Sequence, residues 1–325
     1  MIAKYQTLFS LRAAACLLPI VTCSALAQSF PTRPVRLIVP FSAGGGSDIT
    51  ARAIGHKLSE RWGQQVIVEN RLGAAGNIGA EVVARAAPDG YTLLVITATH
   101  SVNAALHTRM TYDLTTDLTP LSQVTSLPYV VMVHPSLPVK SIEEFVALAK
   151  QRTEGLTYGS SGIGSLGHLS GALLTSLTGA HLLYIPYKGG AASVADVIGG
   201  QINFTFSAIL HAQHARSGKL RALAVTTLKR SAVMPQIPTM IEAGIPGYEI
   251  NQWNGILGPK GLPAPLAARI SNDINDTLRL PDVKERLASD GSEAVGTTGP
   301  AFAEMLRTEI AKWQKVGRQA GIKIE

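Results

Sequence analysis

Cysteine is absent from all but the first residues of this chain. Its two cysteines, Cys16 and Cys23, both lie within residues 1–27, which have the form of a secretory signal peptide. Without that segment the chain has no thiol, so a disulfide framework and a cysteine nucleophile are both excluded. The mature protein must therefore be stabilised by its own core, and its length is enough for two lobes.

The signal segment has the three expected parts. Lys4 and Arg12 supply a positive region, residues 13–20 an apolar core, and residues 25–27 an A-x-A cleavage site before Gln28. The apolar run is too short to stay across a bilayer. We therefore predict cleavage after this site and secretion of the mature chain.

Cys23 allows a second interpretation of the same segment. In a lipoprotein Cys23 would carry the lipid, and cleavage would come just before it. Thr22 is bulkier than the glycine or alanine expected at that position. Cleavage at the A-x-A site is the preferred interpretation.

The chain also lacks runs of basic residues. Removing the two basic residues of the signal segment leaves a net charge of +5, which favours attraction of organic anions. No basic stripe of the kind that binds nucleic acid is present, so no nucleic-acid partner is expected. His211 and His214 have a ligand spacing, but no third ligand accompanies them, and we predict no metal site.

Nor does the sequence contain an arrangement typical of an enzyme. Gly162, Gly164 and Gly167 fit G-x-G-x-x-G, but the acidic residue that a dinucleotide site needs is missing, because the next acid, Asp196, lies inside a predicted helix. No serine stands in a nucleophile elbow, and no nucleophile has a base at a defined spacing. We predict that the protein is not an enzyme and uses no cofactor. A secreted hydrolase or lyase of organic acids, and an orphan sensory receptor, are the alternatives.

The segment Pro40–Asp48, P-F-S-A-G-G-G-S-D, is the most informative stretch that is present. It links an apolar predicted strand at Val35–Val39 to an amphipathic predicted helix at Ile49–Leu58. Three glycines leave N–H groups unobstructed and free to adopt positive φ, and a helix N-terminus adds unpaired N–H donors and partial positive charge. No Gly-Lys-Ser/Thr follows, which excludes a P-loop. We predict a cradle for a small carboxylate.

Two side chains of this segment have a structural interpretation as well. Ser47 and Asp48 are each able to cap the helix, so Asp48 is interpreted as a cap rather than a ligand. A valine at Gly44 or Gly45 would block positive φ and fill the cradle. On this basis a Gly45→Val change is expected to abolish binding without unfolding the protein.

A second turn of the same type spans Tyr158–His168. Its serines could donate to an oxyanion, while Ser165 could equally cap the following helix, and a cap and a ligand contact explain each serine equally well. His168 either orients a ligand or is a core residue. For the turn as a whole, ligand contact is favoured.

Helical and strand patterns alternate through most of the chain, which predicts an α/β protein with largely parallel sheets. The strand–glycine turn–helix pattern of Val35–Leu58 recurs at Leu156–Thr178. Two lobes that offer helix N-termini to one cleft are the layout of a hinged binding protein. Further strands are predicted at residues 66–69, 91–97, 129–134, 182–186, 202–206, 220–226 and 249–258. Further helices are predicted at residues 78–86, 142–150, 190–199, 209–217, 265–280, 281–290 and 301–320.

Six motifs occur in order after the signal: P-x-R-P-V-R-L-I-V-P-F-x-A-G-G-x-x-D, R-x-G-A-A-G-N-I-G, A-P-D-G-Y-T-L-L, Y-G-S-S-G-x-G-S, P-Y-K-G-x-A and G-K-L-R-A-L-A-V-T. From about Phe30 to the C-terminus the chain resembles the Bug (TctC-type) family of periplasmic receptors of tripartite tricarboxylate transporters. The resemblance implies a two-lobe, Venus-flytrap fold that binds a small organic acid and delivers it to integral membrane components of such a transporter. We expect a monomer.

The resemblance also indicates which residues contact the ligand, largely through main-chain N–H groups and ordered water. The complete candidate set is Phe41, Ala43, Gly44, Gly45, Thr97, Thr99, Ser160, Ser161, Gly162, Gly164, Ser165, His168, Tyr187, Lys188, Gly189, Ser207 and Trp253.

Three of these candidates call for comment. The family often has an acid where this chain has Ser207, and its absence argues against an amino-acid ligand because an acid would pair with the ligand ammonium. Lys188 is the most pocket-like cation, although a lysine on a turn is more often solvated. Trp253 is either an ordinary core residue or a cleft wall that stacks on the ligand.

The duplicated pattern also predicts where the lobes divide. Residues 28–127 together with 251–325 are expected to form lobe 1, and residues 128–250 lobe 2. More than one segment is expected to cross between the lobes, because the extended stretch at residues 249–258 returns the chain to lobe 1.

Overall fold

A computed structural model describes residues 30–160, 162–187, 190–289 and 291–323. The predicted signal segment and Cys23 lie outside these residues. The strands are β1 Val35–Val39, β2 Val66–Asn70, β3 Thr92–Thr97, β4 Leu118–Val133, β5 Leu156–Ser160, β6 Leu182–Pro186, β7 Phe204–Ala208, β8 Arg221–Val225, β9 Asn251–Pro259 and β10 Glu293–Ala294. The helices are α1 Gly46–Trp62, α2 Asn77–Ala84, α3 Ala98–Leu106, α4 Ile142–Gln151, α5 Leu166–Thr178, α6 Gly190–Ile198, α7 Ala212–Arg216, α8 Ala264–Arg279, α9 Pro281–Ala288 and α10 Gly299–Ala320.

The strands follow one order, β2-β1-β3-β9-β4-β7-β5-β6, with β8 and β10 also paired to β4. At each end of this order the strands run parallel, as β1 does with β2 and β3, and β5 with β6 and β7. The central strands β4 and β9 run antiparallel to their neighbours. The prediction of an α/β protein is confirmed. The prediction of largely parallel sheets is wrong, because β4 and β9 pair antiparallel with each of their neighbours.

Strand β4 belongs to both halves of the molecule, which is why the strand order is continuous. Its residues 118–128 pair with β9, and its residues 129–133 pair with β7. The change of partner falls at Pro128, which has no backbone N–H to donate to a sheet ladder. One long strand therefore serves two sheets and carries the chain from one half to the other.

The hydrophobic core follows the same division only in part. One cluster fills the space between α1, α8 and the sheet of the first half, and another lies under α6 and α7 in the second half. A third cluster runs through both halves and includes Trp313 of α10 and Tyr248. Helix α10 also joins the halves directly, since Ser176 of α5 donates to Oε1 of Gln319 at 2.5 Å.

Three elements differ from the sequence-based predictions. The strand predicted at 129–134 is the second part of the 16-residue β4. The polar segment after β3 is the first turn of α3, because Thr97 caps a helix that starts at Ala98. The helix predicted at 209–217 is a 3₁₀ turn at Ile209–His211 followed by the short α7.

Two negative findings hold for the part of the chain that the structure describes. No group of three or more histidine, cysteine, aspartate or glutamate side chains there could hold a metal ion. Among the same residues, no helix combines the length and hydropathy that a membrane crossing requires.

Candidate ligand-binding site

The first glycine turn lies between the carboxyl end of β1 and the N-terminus of α1. Its three glycines have different backbone conformations: Gly44 has φ +79, Gly45 is the extended N-cap with φ −76, and Gly46 is the first helical residue. Only Gly44 therefore needs the left-handed region that favours glycine. The expectation that Gly45 adopts positive φ is wrong, because an N-cap residue has extended backbone angles.

Asp48 holds this turn from inside. Its side chain is 2% exposed and accepts from the Gly44 N–H at 2.9 Å, from Arg52 Nε at 2.8 Å and from Asn70 Nδ2 at 2.9 Å. Burial alone would raise the pKa of Asp48, but the hydrogen bonds from Arg52, Gly44 and Asn70 outweigh it and lower the pKa to about 2. Asp48 is thus a permanent carboxylate that fixes the turn. The prediction that Ser47 or Asp48 caps α1 is wrong, because the N-cap is Gly45 and it has no side-chain cap bond.

This arrangement changes which N–H groups of the turn are free. The Gly44 N–H donates to Asp48, and the Gly45 N–H donates to the Ser42 carbonyl at 3.2 Å. The N–H groups of Gly46 and Ser47, in the first turn of α1, have no intrahelical acceptor. The donors available to an anion are therefore those of the helix rather than those of the first two glycines.

Ser47 makes a contact that the sequence did not reveal. Its hydroxyl donates to Asn254 Oδ1 at 2.9 Å, and Asn254 Nδ2 donates to Thr125 Oγ1 at 2.9 Å. Asn254 lies on β9, opposite Thr97 of β3. Its only signal in the sequence is its position next to Trp253, and the two side chains point to opposite faces of the strand.

The carboxyl end of β3 lies beside the first turn. Thr97 caps α3 by accepting from the Thr99 N–H at 3.2 Å, and its own N–H donates to His100 Nδ1 at 3.1 Å. Phe41 meets the His100 ring edge-on, with ring centroids 5.7 Å apart. His100 is fully buried, and this burial lowers its pKa to about 4. Phe41, Thr97 and Thr99 thus belong to one packed unit with a neutral histidine.

The second glycine turn joins β5 to α5. Ser165 caps α5 by accepting from the His168 N–H at 3.3 Å, and its Oγ lies 2.8 Å from that of Ser160. Gly162 and Gly164 both have positive φ, +119 and +77. Of the two interpretations of Ser165, a cap is therefore the one that the structure shows, and a hydroxyl that accepts a cap bond still has an O–H to donate.

Two aromatic side chains support this turn from behind. The Gly162 N–H donates to the Tyr184 hydroxyl at 3.2 Å, and the Gly164 N–H donates to His168 Nδ1 at 3.1 Å. The rings of Tyr184 and His168 lie against each other, with centroids 4.1 Å apart. Tyr184 was not identified from the sequence, since it lies 22 residues away on β6. In this turn too, the free donors are the first N–H groups of the helix.

The remaining candidates lie beside these two turns or in the core, and the Tyr187 N–H donates to the Ser160 carbonyl at 3.0 Å. Tyr187 follows β6 and donates from its hydroxyl to Asp196 Oδ2 at 2.7 Å. Ser207, at the end of β7, is buried with its Oγ 2.7 Å from His211 Nδ1. Trp253 is 1% exposed and packs edge-on against Phe302, so its surroundings are those of a core residue. Ala43 lies on the exposed rim of the first turn. Ser161, Lys188 and Gly189 lie outside the described residues.

A cavity of about 930 Å³ opens elsewhere, on the outer face of the second half. It lies between α4 and residues 236–245, and none of the candidate residues lines it. The candidates gather instead at the carboxyl ends of strands β1, β3, β5 and β7. Ligands of open α/β sheets bind outside the carboxyl ends of the strands.

Two sheets that share the long strand β4, each with a helix N-terminus behind a glycine turn, define the class of two-lobe periplasmic binding proteins. The comparisons with known proteins agree. Residues 50–322 match the model of the family described as tripartite tricarboxylate transporter family receptor. The chain belongs to this family, and its members and structural neighbours are solute-binding receptors rather than enzymes.

Three relatives illustrate the similarity. Protein BugT of Bordetella pertussis is 35% identical over 304 residues, which is 92% of this chain and 93% of that protein. The R. palustris protein Rpa4515, solved with adipate, is 37% identical with a TM-score of 0.75, over 90% of this chain and 99% of the other. MatC (Rpa3494) from Rhodopseudomonas palustris, solved with bound malate, is 31% identical with a TM-score of 0.71, over 88% and 99%.

Proposed function

We propose that this protein captures a small carboxylate between its two lobes in the periplasm and delivers it to the membrane components of a tripartite tricarboxylate-type transporter. One observation carries the proposal: the first turns of α1 and α5 both begin at a glycine turn whose own N–H groups are held by a side chain four residues later. The helix N–H groups are thereby left for an anion. The adipate and malate in two relatives support a carboxylate ligand.

The negative charge of the ligand is held by dipoles and hydroxyls in this proposal. Neither residues 40–48 nor residues 158–168 contain lysine or arginine. Two helix N-termini supply partial positive charge, which favours an anion without requiring an ion pair. Lys188 contributes only if it faces the cleft, in which case its contribution weakens with salt.

The ligand is a dicarboxylate without an ammonium group. Ser207 stands where the family often has an acid, and its hydroxyl is engaged by His211 rather than by a carboxylate. Among the described residues, Asp48 is the buried acid next to the first turn, and its charge is already neutralised by Arg52. An ammonium group would therefore find no carboxylate partner at Ser207.

The proposed division into lobes is based on the pairing of the strands. We assign residues 28–127 with 251–325 to lobe 1 and residues 128–250 to lobe 2, with β4 and the start of β9 as crossings. The pairing of β4 with β9 ends at Pro128 and Asn251, which supports these bounds.

Small-angle scattering should show compaction when ligand is added. An unchanged radius at saturating ligand would contradict hinge closure.

The binding proposal is tested by a thermal-shift screen of the mature protein with acetate, malate, adipate, citrate, benzoate and aspartate. A ligand that binds the native state raises Tm by mass action. We expect dicarboxylates to raise Tm and aspartate to leave it unchanged, with titration calorimetry giving one site and no turnover of the acid. A protein that none of these acids stabilises would contradict the proposal.

Export and the transporter partner need separate measurements. N-terminal sequencing of protein from a periplasmic extract should begin at Gln28, whereas a lipidated form would begin at Cys23 and stay with the membrane fraction. The mature protein should run as a monomer on size exclusion. Crosslinking in cells that contain the cognate membrane components should capture them in the presence of the acid. Capture of a histidine kinase in their place would support the sensory alternative.

A further inference from the structure

Asn254 occupies a central place on the floor of the first lobe. On β9 it lies between Thr97 of β3 and Thr125 of β4, and the structure pairs it with both. Its side chain is 7% exposed, so almost all of its polar surface is inside the protein. A buried amide needs partners, because leaving one unsatisfied costs about 1–3 kcal/mol.

The partners of Asn254 form a chain across three elements. Thr125 Oγ1 accepts from the Asn254 N–H at 3.2 Å and from Nδ2 at 2.9 Å, while Oδ1 accepts from the Ser47 hydroxyl at 2.9 Å. The register of β4 against β9 shifts at this point, so that Val124 is an extra residue. Such a bulge re-aims the neighbouring side chain, here that of Thr125.

The chain ends in the first turn of α1. Ser47 is the second helical residue, and its N–H is one of the donors that the proposed function assigns to the ligand. Helix α1 otherwise packs on the sheet through its apolar face, several residues further along. The Ser47–Asn254 bond is therefore a direct link between the anion-binding turn and strands β9 and β4, the second of which continues to the other lobe.

We infer that Asn254 is a positioning residue for ligand binding, which acts by holding Ser47 and with it the first turn of α1. This inference rests on the proposed function. Thr125 in turn fixes the orientation of the Asn254 amide, since its hydroxyl accepts from Nδ2 and leaves Oδ1 for Ser47. Ligand affinity should therefore depend on Asn254 only while Ser47 is present.

A double-mutant cycle tests this dependence, with adipate as the probe and malate as the second acid. Ser47→Ala and Asn254→Ala should each weaken binding about fivefold, the effect of one hydrogen bond, by titration calorimetry. The double variant should bind no more weakly than the weaker of the two single variants. Losses that multiply in the double variant, or wild-type affinity in Asn254→Ala, would overturn the inference.

The matched control is Asn275→Ala. Asn275 is a half-buried amide that, like the buried Asn254, bridges to β4; it accepts from the Ser122 hydroxyl at 2.7 Å and donates to the Thr297 carbonyl at 2.9 Å. It lies on α8, away from the glycine turns. Its loss should lower Tm about as much as Asn254→Ala does but leave adipate affinity unchanged.

Thr125→Val provides a second variant in case Asn254→Ala does not fold. Valine has the shape of threonine and keeps the strand, but it removes the acceptor that orients the Asn254 amide. Weaker adipate binding supports the inference, and unchanged binding contradicts it. A wild-type protein that none of the acids of the thermal-shift screen stabilises would refute the proposed function, and this inference with it. Binding by the wild type together with multiplying losses would refute this inference alone.

Discussion

Asp48 accepts a hydrogen bond at 2.9 Å from the backbone N–H of Gly44, four residues earlier in the chain. The second lobe repeats this relationship at the same spacing, with His168 accepting from Gly164 at 3.1 Å. In each lobe the third residue of a helix reaches back and closes the turn that precedes it. Because one acceptor is a carboxylate and the other an imidazole, the two turns respond differently to pH.

Asp48→Asn should make the protein less stable at neutral pH and less sensitive to acid. The folded pKa of Asp48 is about 2 against an ordinary 3.8, so its contribution of about 2 kcal/mol is complete above pH 4. That contribution is lost as pH falls through 3.8 toward 2. Urea unfolding at pH 7 and pH 3 measures the free energy of unfolding of the wild type and of Asp48→Asn. The difference between them should shrink at pH 3, and a difference that stays constant would contradict the prediction.

Gly44→Ala should destabilise the protein by about 1 kcal/mol, because Gly44 has φ +79 and an alanine there is strained although no atom lies near its Cβ position. Gly45→Ala is the matched comparison, with φ −76 and a Cβ that would lie 3.2 Å from the Ser42 carbonyl oxygen. Denaturant midpoints and adipate affinity should both fall more for Gly44→Ala. Equal losses would mean that φ does not distinguish the two positions.

Adipate affinity should fall as pH drops below 6.5, because His168 must be neutral at Nδ1 to accept from Gly164. Burial lowers the pKa of His168 below 6.5, so the imidazole is neutral at pH 7.5 and protonates only in acid. Titrations at pH 7.5 and 5.5 should show the loss.

His168→Asn is the control for this pH dependence. Its amide oxygen can accept from Gly164 at any pH, so its affinity should change less between pH 7.5 and 5.5 than that of the wild type. His100 and His211 are unchanged in this variant, and the difference between the two profiles isolates His168. Parallel profiles would assign the pH dependence to another group.

Ser207→Asp should weaken adipate binding by about tenfold or more, because it adds a negative charge at the end of β7 near an anionic ligand. Ser207→Ala removes only the contact with His211 and should have a smaller effect. Aspartate should raise the Tm of Ser207→Asp but not that of the wild type, since its ammonium group gains a partner. If Ser207→Asp changes neither the adipate affinity nor the effect of aspartate on Tm, Ser207 lies away from the ligand.

Much of this protein could be predicted from local patterns. The alternation of apolar strands with amphipathic helices predicted the α/β class, and the segment Pro40–Asp48 predicted a helix N-terminus behind a glycine turn. These features depend on neighbouring residues alone: side-chain periodicity, φ of glycine and the unpaired N–H groups of a helix. The family motifs are likewise contiguous stretches.

The tertiary structure decided which groups of those turns are free. The N–H groups of Gly44, Gly162 and Gly164 already donate to side chains. One of the accepting side chains, that of Tyr184, lies on a different strand. Asn254 reaches Ser47 across 207 residues. Hydrogen bonds at such separations arise from strand order and register, which the periodicity of a single segment does not encode. The sequence thus determined where anion-binding helices begin, and only the fold determined which neighbours hold them in place.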